Sequence, residues 1–256
     1  MKYAYIEFKS DFPFNTDGMC AADGFFARGY EVKPFTKTDI MSGKITDYML
    51  KTHVFVGCID TMKLIFRQLK CIPEVINFPE PFYNANLLQR YVWTTSIGNV
   101  IEMINSNSSR TLYVKPATEV KTFDCMKINK DTLHSLNHLE PNTDVIVSNP
   151  FNHKIVAEYR CYINNGVIED IRLYTGDPLE YINNISKIGF AISNYKNAPT
   201  AYTIDIAVLE NHSIAVIELN DFWAIGSYGL EPELYSIMIE NRYKEIINKI
   251  ILIDNQ

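Results

Sequence analysis

The fold is first indicated by residues 203–229, which read TIDIAVLENHSIAVIELNDFWAIGSYG. Two apolar runs rich in β-branched residues flank a polar turn at Asn211-His212, and this pattern predicts a β-hairpin. If Asn211 and His212 form a two-residue loop, Asp205 lies directly opposite Glu218, and Asn220 projects from the same face. A three-residue turn would break this pairing.

The three polar residues Asp205, Glu218 and Asn220 stand in runs otherwise suited to a core. Two carboxylates and an amide on one face would repel each other unless a cation lay between them. Oxygen ligands of this kind suit Mg²⁺, which binds one or two carboxylates together with substrate phosphates. The hairpin therefore predicts a magnesium site, and a phosphate-binding group is expected elsewhere in the chain.

Composition limits the class of protein. The chain has 256 residues, of which 47% are hydrophobic and 21% charged, as in ordinary globular proteins. The net charge of −6 disfavours nucleic acid as a partner, because backbone affinity needs clustered Lys and Arg. Five scattered cysteines without a CxxC predict a reducing cytoplasm rather than disulfides. No apolar run is long enough to span a membrane, and the first residues lack a signal-peptide core.

Residues 1–80 have the pattern of a small α/β unit. The strand Val54–Val56 is followed by Gly57 and an amphipathic helix, which Asp60 or Thr61 would cap. A helix N-terminus after such a turn can bind a ligand, but βα turns need glycine anyway, so we favour a structural role. Three prolines within residues 71–83 predict an extended connector, which divides the chain into domains 1–80 and 81–256.

Two lysines are candidates for the phosphate-binding group. Lys115 follows a short strand at residues 111–114, and Lys121 comes six residues later, after the polar segment PATEV. One interpretation is a loop that closes over phosphates with a lysine at each base. The alternative is a pair of ordinary surface lysines. Upstream of them, helices are predicted over residues 87–93 and 97–105.

Asn165-Gly166 predicts a type I′ turn between strands at residues 158–162 and 167–174. With residue 164 opposite 167, Arg172 would lie beside Tyr159, on the face opposite Arg160. An arginine among bulky strand residues needs a carboxylate or a phosphate as partner. A helix is expected over residues 181–192, and the amphipathic helix at 231–252 would carry Glu240 on its solvent face.

Several segments occur in a recognisable order: YVKPATEVKTFD (113–124), DVIVSNP (144–150), AEYRCYINNGVI (157–168), TIDIAV (203–208) and VIELNDFWAIGSYGL (216–230). Together they resemble the nucleotide-binding half of the ATP-grasp superfamily. The resemblance is closest to a small clade encoded by phages and bacterial conflict gene clusters, which has a signature of an arginine and two lysines. VGCIDTMKLIFRQL (56–69) and LLQRYVW (87–93) extend the resemblance to about residues 50–240.

The resemblance implies an α/β (α+β) ATP-grasp fold, with a small Rossmann-like N-terminal domain and an antiparallel-sheet ATP-binding domain. It assigns the cofactors ATP and Mg²⁺ to particular residues. The implied roles are phosphate contacts for Lys115 and Lys121, the adenine slot for Val147 and Ser148, the ribose or adenine amine for Glu158, the γ-phosphoryl group for Arg160, and Mg²⁺ for Asp205, Glu218 and Asn220. PATEV departs from the superfamily pattern, since ordinary ATP-grasp lids are longer and carry glycines.

The family chemistry implies an ATP-dependent carboxylate–amine ligase that forms an acylphosphate and releases ADP and phosphate. Its expected partners are small-molecule or peptide carboxylates and amines, in a cytoplasm that would be the host's if a phage encodes the chain. One alternative is a kinase that uses the same ATP site. Another is a nucleotide-binding protein that has lost turnover. A nucleic-acid ligase would release AMP and is disfavoured by the acidic charge.

Overall fold

The first part of the chain is a small sheet covered by helices. The computed structural model describes residues 2–84, 86–120 and 122–254. Strand β1 is central in this sheet and pairs in parallel with β3 and β4 and antiparallel with β2. The elements are β1 (Tyr3–Lys9), β2 (Phe12–Pro13), α1 (Thr16–Ala27), β3 (Glu31–Phe35), α2 (Lys37–Met41), α3 (Asp47–Thr52), β4 (Val54–Val56) and α4 (Ile59–Gln68).

The start of α4 differs from the prediction. Neither Asp60 nor Thr61 caps the helix, whose N-cap residue is Cys58. The carboxylate of the buried Glu7 takes the capping role: it accepts from the backbone N–H of Cys58 at 2.7 Å and from the Thr61 hydroxyl at 2.8 Å. A carboxylate from a neighbouring strand thus satisfies this helix end. This arrangement supports a structural role for the turn at Gly57.

The second part is an antiparallel sheet in the order β5-β8-β6-β7, with α6 packed on one face. The elements are α5 (Glu80–Asn84), β5 (Val92–Ser96), α6 (Ile97–Ser106), β6 (Leu112–Pro116), β7 (Met126–Ile128), a 3-10 turn at Leu133–Leu136 and β8 (Asp144–Ser148). The helix predicted at residues 87–93 is wrong. That segment is not helical, and the Leu87 carbonyl accepts from the backbone N–H of Val216 at 2.7 Å.

The third part is an antiparallel sheet in the order β10-β9-β11-β12, followed by the final helix. All nine residues of β11 are buried. The elements are β9 (Ile155–Asn164), β10 (Val167–Gly176), α7 (Ile185–Ser193), β11 (Ala201–Leu209), β12 (Ile214–Asp221), a 3-10 turn at Phe222–Ala224 and α8 (Pro232–Asp254). Helix α7 begins later than predicted because Asn184 is in the left-handed region, with φ 58°.

The β9–β10 hairpin confirms the predicted turn but not the predicted register beyond it. Asn165 and Gly166 both have positive φ, 49° and 77°, as a type I′ turn requires. A bulge between Ile168 and Asp170 then shifts the pairing by one residue, so Arg172 lies opposite Arg160. The prediction that Arg172 would lie beside Tyr159 is therefore wrong, because one extra residue in a strand changes every later pairing.

Helix α8 packs on the N-terminal sheet and shares its core with β1, β4, α1 and α4. Glu240 is buried in this contact and binds Arg28, Tyr30 and Lys244, so its predicted solvent position is wrong. The division at residues 80 and 81 stays a prediction. Among the described helices, none combines the length and apolar character needed to cross a membrane.

Candidate functional site

The β11–β12 hairpin pairs Asp205 with Glu218, but by a different route from the one predicted. The turn contains three residues, Glu210 to His212: Leu209 donates to the Ser213 carbonyl, and His212 has φ 60°. This turn shifts the register by one residue. A bulge at Ile217 shifts it back, so that Asp205 faces Glu218 and Thr203 faces Asn220. The predicted pairing is confirmed, while the two-residue turn is wrong.

Arg160 has the carboxylate of Asp205 as its partner, which is one of the two alternatives that the sequence left open. The Arg160 guanidinium donates through Nε and Nη2 to the two carboxylate oxygens, each at 2.7 Å, and both side chains are buried. Burial raises the pKa of Asp205 to about 6 against the opposing effect of Arg160. Neither residue is among those that line the three cavities at the site. The pair therefore lies behind the open part of the site.

Glu218 is the carboxylate that faces open space. Its Oε1 accepts from the Asn220 amide at 2.9 Å, and its Oε2 lies 3.8 Å from Nζ of Lys115. Burial acts to raise the pKa of Glu218, but Lys115, Asn220 and Arg160 outweigh it and the pKa is lowered. Burial lowers the pKa of Lys115, and Glu218 opposes that shift. Lys115 and Glu218 therefore form a pair of opposite charges, which we call the Lys115–Glu218 pair.

A cavity of about 260 Å³ lies on one side of this pair. Lys115, Ser148, Glu158 and Glu218 line it, together with Arg90 and several apolar side chains. Val147 does not line it. Its side chain packs in the core beneath α6, and it pairs with β5 on one side and β6 on the other. The side chain of Val147 is therefore in the core, because alternate residues of a strand face opposite sides. Its predicted role in the adenine slot, which uses backbone groups, stays a prediction.

Two further cavities continue from the first. One of about 190 Å³ shares Lys115, Cys125 and Glu218 with it and is also lined by Asn220. The other, of about 810 Å³, shares Asp124 and Ala224 with the second and lies between the 222–229 loop and the N-terminal sheet. The three form one row, with the Lys115–Glu218 pair between the first and the second.

The loop after Lys115 lies against α4. Glu119 is 2.8 Å from Nη2 of Arg67 and 3.2 Å from Nζ of Lys63, and Val120 packs against the N-terminal core. The segment that the sequence marked as a possible lid therefore contacts the N-terminal unit. Lys121, the second predicted lysine, lies outside the described residues.

Two tyrosines lie next to Arg160. Its guanidinium carbon is 4.5 Å from the ring centroid of Tyr228 and 5.4 Å from that of Tyr174. Tyr174 also donates to the carboxylate of Glu158, and Tyr228 lines the 810 Å³ cavity. Tyr228 has φ 44°, an uncommon conformation for a residue with a side chain. A non-glycine positive φ cannot be read from sequence alone.

The donor set allows a test of the predicted magnesium site. Asp205 has both oxygens bound to Arg160, so only their second lone pairs remain for a metal in this arrangement. Glu218 and Asn220 both line the 190 Å³ cavity, and a half-turn of the Asn220 amide would present its oxygen. A carboxylate and an amide oxygen suit Mg²⁺, which keeps several waters and takes phosphate oxygens. The open residues therefore fit the ion.

Comparison with known protein families identifies the family of the chain. Residues 87–238 match the model of the ATP-grasp domain, R2K clade family 2. The chain belongs to this R2K-clade ATP-grasp family. The match covers β5 to β12 and hence every described site residue discussed above. No curated protein sequence matches the chain.

Several solved structures have the same fold as this R2K-clade ATP-grasp protein. D-cycloserine synthetase DcsG is 9% identical with a TM-score of 0.56, covering 96% of this chain and 100% of its own. Macrocyclase MdnC from Microcystis aeruginosa MRC, bound with its precursor peptide MdnA, is 13% identical with a TM-score of 0.53, over 93% and 99%. D-alanine–D-alanine ligase from Bacillus anthracis is 12% identical with a TM-score of 0.52, over 96% and 98%.

Proposed function

We propose that this R2K-clade protein is an ATP-dependent carboxylate–amine ligase that acts through an acylphosphate. The observation that carries the proposal is the row of cavities, which has the Lys115–Glu218 pair between its first and second members. A nucleotide in the 260 Å³ cavity would bring its phosphates to this pair. Carboxylate and amine substrates would then enter from the 810 Å³ cavity on the other side.

Each residue has a role in this proposal. Lys115 binds the phosphates as a point charge, and Ser148 and Glu158 contact the nucleoside. Glu218 and Asn220 hold Mg²⁺, which when bound would neutralise charge on the transferring phosphoryl group. Arg160 uses Nε and Nη2 for Asp205, which leaves Nη1 for a phosphoryl oxygen. Lys121 and Asp205 keep their predicted roles in phosphate and metal binding as part of the same hypothesis.

The reaction has two steps. A substrate carboxylate oxygen attacks the γ-phosphorus, and the bond from phosphorus to the β-phosphate oxygen breaks, which gives an acylphosphate and ADP. The nitrogen of a neutral amine then attacks the acyl carbon, the carbon–oxygen bond to phosphate breaks, and the nitrogen loses a proton. The chain supplies positioning and charge neutralisation, which account for most of the catalysis in phosphoryl transfer.

The ATP-grasp relatives support this type of reaction without fixing the substrates. The names of three similar structures describe a synthetase, a macrocyclase bound to a peptide and a D-alanine ligase. At 9 to 13% identity they share the fold alone with this chain. We extend from them only the expectation that the acceptors are small molecules or peptides.

The test is ADP release from ATP and Mg²⁺ in the presence of amino acids and short peptides. Hydroxylamine should trap the acylphosphate as a hydroxamate. Glu218→Gln should lower turnover on the order of 100-fold, since metal-mediated charge stabilisation is worth several kcal/mol. The matched control is Glu210→Gln, at an exposed position in the turn, which should retain activity.

The other outcomes identify the alternatives. A phosphorylated product that is stable to hydroxylamine would indicate a kinase. ATP affinity that does not depend on Mg²⁺, with no product from any acceptor, would indicate a nucleotide-binding protein without turnover. Absence of ATP binding in a well-folded sample would contradict the proposal altogether.

A further inference from the structure

The position of Glu218 depends on the bulge at Ile217. Near the turn, Val208 pairs with Ile214, Ala207 with Ala215 and Ile206 with Val216. If this register continued, Asp205 would face Ile217, and Glu218 would project from the opposite face of the sheet. The extra residue at Ile217 returns Glu218 to the face of Asp205. Without the bulge, the site would lose the carboxylate that meets Lys115.

A bulge interrupts the ladder and leaves backbone groups that need other partners. Strand β12 is at the edge of its sheet, so the strand order gives these groups no partner on its outer side. Arg90 supplies one. Its Nη1 donates to the Val216 carbonyl at 2.9 Å, and its Nη2 donates to the Ile217 carbonyl at 2.8 Å. The planar guanidinium thus binds two successive carbonyls at the bulge.

The surroundings of Arg90 keep it in this position. Its guanidinium carbon lies 4.2 Å from the ring centroid of Phe151 and 5.8 Å from that of Phe78. Within the described part of the chain, no carboxylate is at ion-pair distance, and its hydrogen bonds go to the backbone carbonyls of Leu88, Val216 and Ile217. The contacts of Leu87 and Arg90 also explain why residues 87–90 are not helical.

We infer that Arg90 is a positioning residue, which fixes the β12 bulge at Ile217 and thereby holds Glu218 on the face of Asp205 and Lys115. The inference rests on the proposed function only where Glu218 is taken to hold Mg²⁺. Its structural part concerns the bulge alone. Arginine suits this role because its planar fork matches two acceptors in a fixed direction, which a lysine ammonium on a flexible stem does not.

The first test measures amide hydrogen exchange without nucleotide. In Arg90→Gln and Arg90→Lys, amides of residues 215–219 should exchange on the order of tenfold faster, as expected when hydrogen bonds worth about 1.4 kcal/mol in total are lost. Amides of β1 and β4 should keep their protection. The control is Arg110→Lys, at an exposed position in the loop before β6, which should match the unchanged protein.

The second test measures the Mg²⁺ concentration that half-saturates the increase in ATP affinity. Both Arg90 variants should need on the order of tenfold more Mg²⁺, because Glu218 is no longer held in place. ATP affinity without Mg²⁺ is the reference for each variant, because Arg90 also lines the 260 Å³ cavity. If Arg90→Lys matches the unchanged protein in both tests, the positive charge alone suffices and the inference is wrong. Global loss of protection in both variants would equally contradict a local role.

A deletion provides an independent control. Removing Ile217 eliminates the bulge, yet the register near the turn then continues so that Glu218 pairs with Asp205. In this background Arg90→Gln should have no further effect on the Mg²⁺ requirement, and an undiminished effect would contradict the inference. If the unchanged protein shows no Mg²⁺-dependent ATP binding, the proposed function fails, whereas hydrogen exchange still decides the role of Arg90.

Discussion

At the scale of single residues, the environment of Lys115 sets its chemistry. Its side chain is 16% exposed, its Nζ lies 3.8 Å from Glu218, and the same nitrogen is 5.1 Å from the ring centroid of Phe78. A mostly buried ammonium with one distant carboxylate has lost hydration that a phosphate would replace. This combination distinguishes Lys115 from an ordinary surface lysine, an alternative that spacing alone left open.

Lys115→Met should weaken ATP binding on the order of tenfold or more, because it removes a buried phosphate-binding charge while retaining a similar volume. Burial lowers the pKa of Lys115, so its ammonium loses its proton earlier as pH rises. With rising pH, the ATP affinity of the wild-type protein should therefore begin to fall at a lower pH than it would with an exposed lysine. Calorimetric titration across pH measures both effects. Lys127→Met, at an exposed position on β7, is the control. Unchanged affinity in Lys115→Met would remove Lys115 from the site.

At the scale of elements, helices α1 and α8 approach each other at a glycine. A Cβ added to Gly24 would lie 1.9 Å from the carbonyl oxygen of Pro232, so backbone rather than a flexible side chain fills the space. Gly189 in α7 is the opposite case, since a Cβ there meets nothing within 4 Å. Both are helical glycines, and only packing separates them.

Gly24→Ala should lower the free energy of unfolding by about 3 kcal/mol, because the two helices must move apart. Gly189→Ala should raise it by about 0.5–1 kcal/mol, since alanine is the better helix former and no neighbour must shift. Urea denaturation of the two variants measures both changes. A neutral Gly24→Ala would contradict the close contact between α1 and α8.

At the scale of the whole molecule, the last helix, α8, packs on the first sheet. Glu240 binds Tyr30 at 2.6 Å as well as Arg28 and Lys244, and the Tyr243 hydroxyl donates to the Leu50 carbonyl at 2.8 Å. The loop before this helix also contacts two parts of the fold. Tyr162 donates to the Ser227 carbonyl at 2.8 Å, and Ser227 donates to Asp17 at 2.7 Å. The wall of the 810 Å³ cavity is therefore held by Tyr162 in β9 and by Asp17 in α1.

Glu240→Gln should lower the free energy of unfolding by about 1–3 kcal/mol at neutral pH, because three donors lose a charged acceptor. Burial acts to raise the pKa of Glu240, but the bonds from Lys244, Tyr30 and Arg28 lower it to about 2. A lowered carboxyl pKa gives stability above the ordinary value of 4.5 that is lost as pH falls towards 2.

The difference in stability between Glu240→Gln and the unchanged protein should therefore shrink between pH 4.5 and pH 2. Thermal unfolding across this range measures it. Glu102→Gln, at an exposed position in α6, should show no such dependence. A constant difference across the range would indicate that the charge of Glu240 contributes nothing.

Local sequence signals predicted many of the elements. Alternation and turn residues predicted the strands of both hairpins, and helical spacing predicted α4, α6 and α8. These signals are local, since side-chain period and turn chemistry act within a few residues. The motif order also indicated the ATP-grasp fold, which the family match and the similar structures show.

The register and the partners at the site follow from long-range packing, which the sequence patterns did not predict. The bulges at Ile217 and between Ile168 and Asp170 determine which residues face each other, and hairpin patterns do not reveal them. Arg160 meets Asp205 across 45 positions, and Arg90 meets Val216 across 126. Each of these contacts joins segments that are distant in the sequence, so it depends on how the whole chain packs. The helices and strands, in contrast, are specified mainly by their own residues.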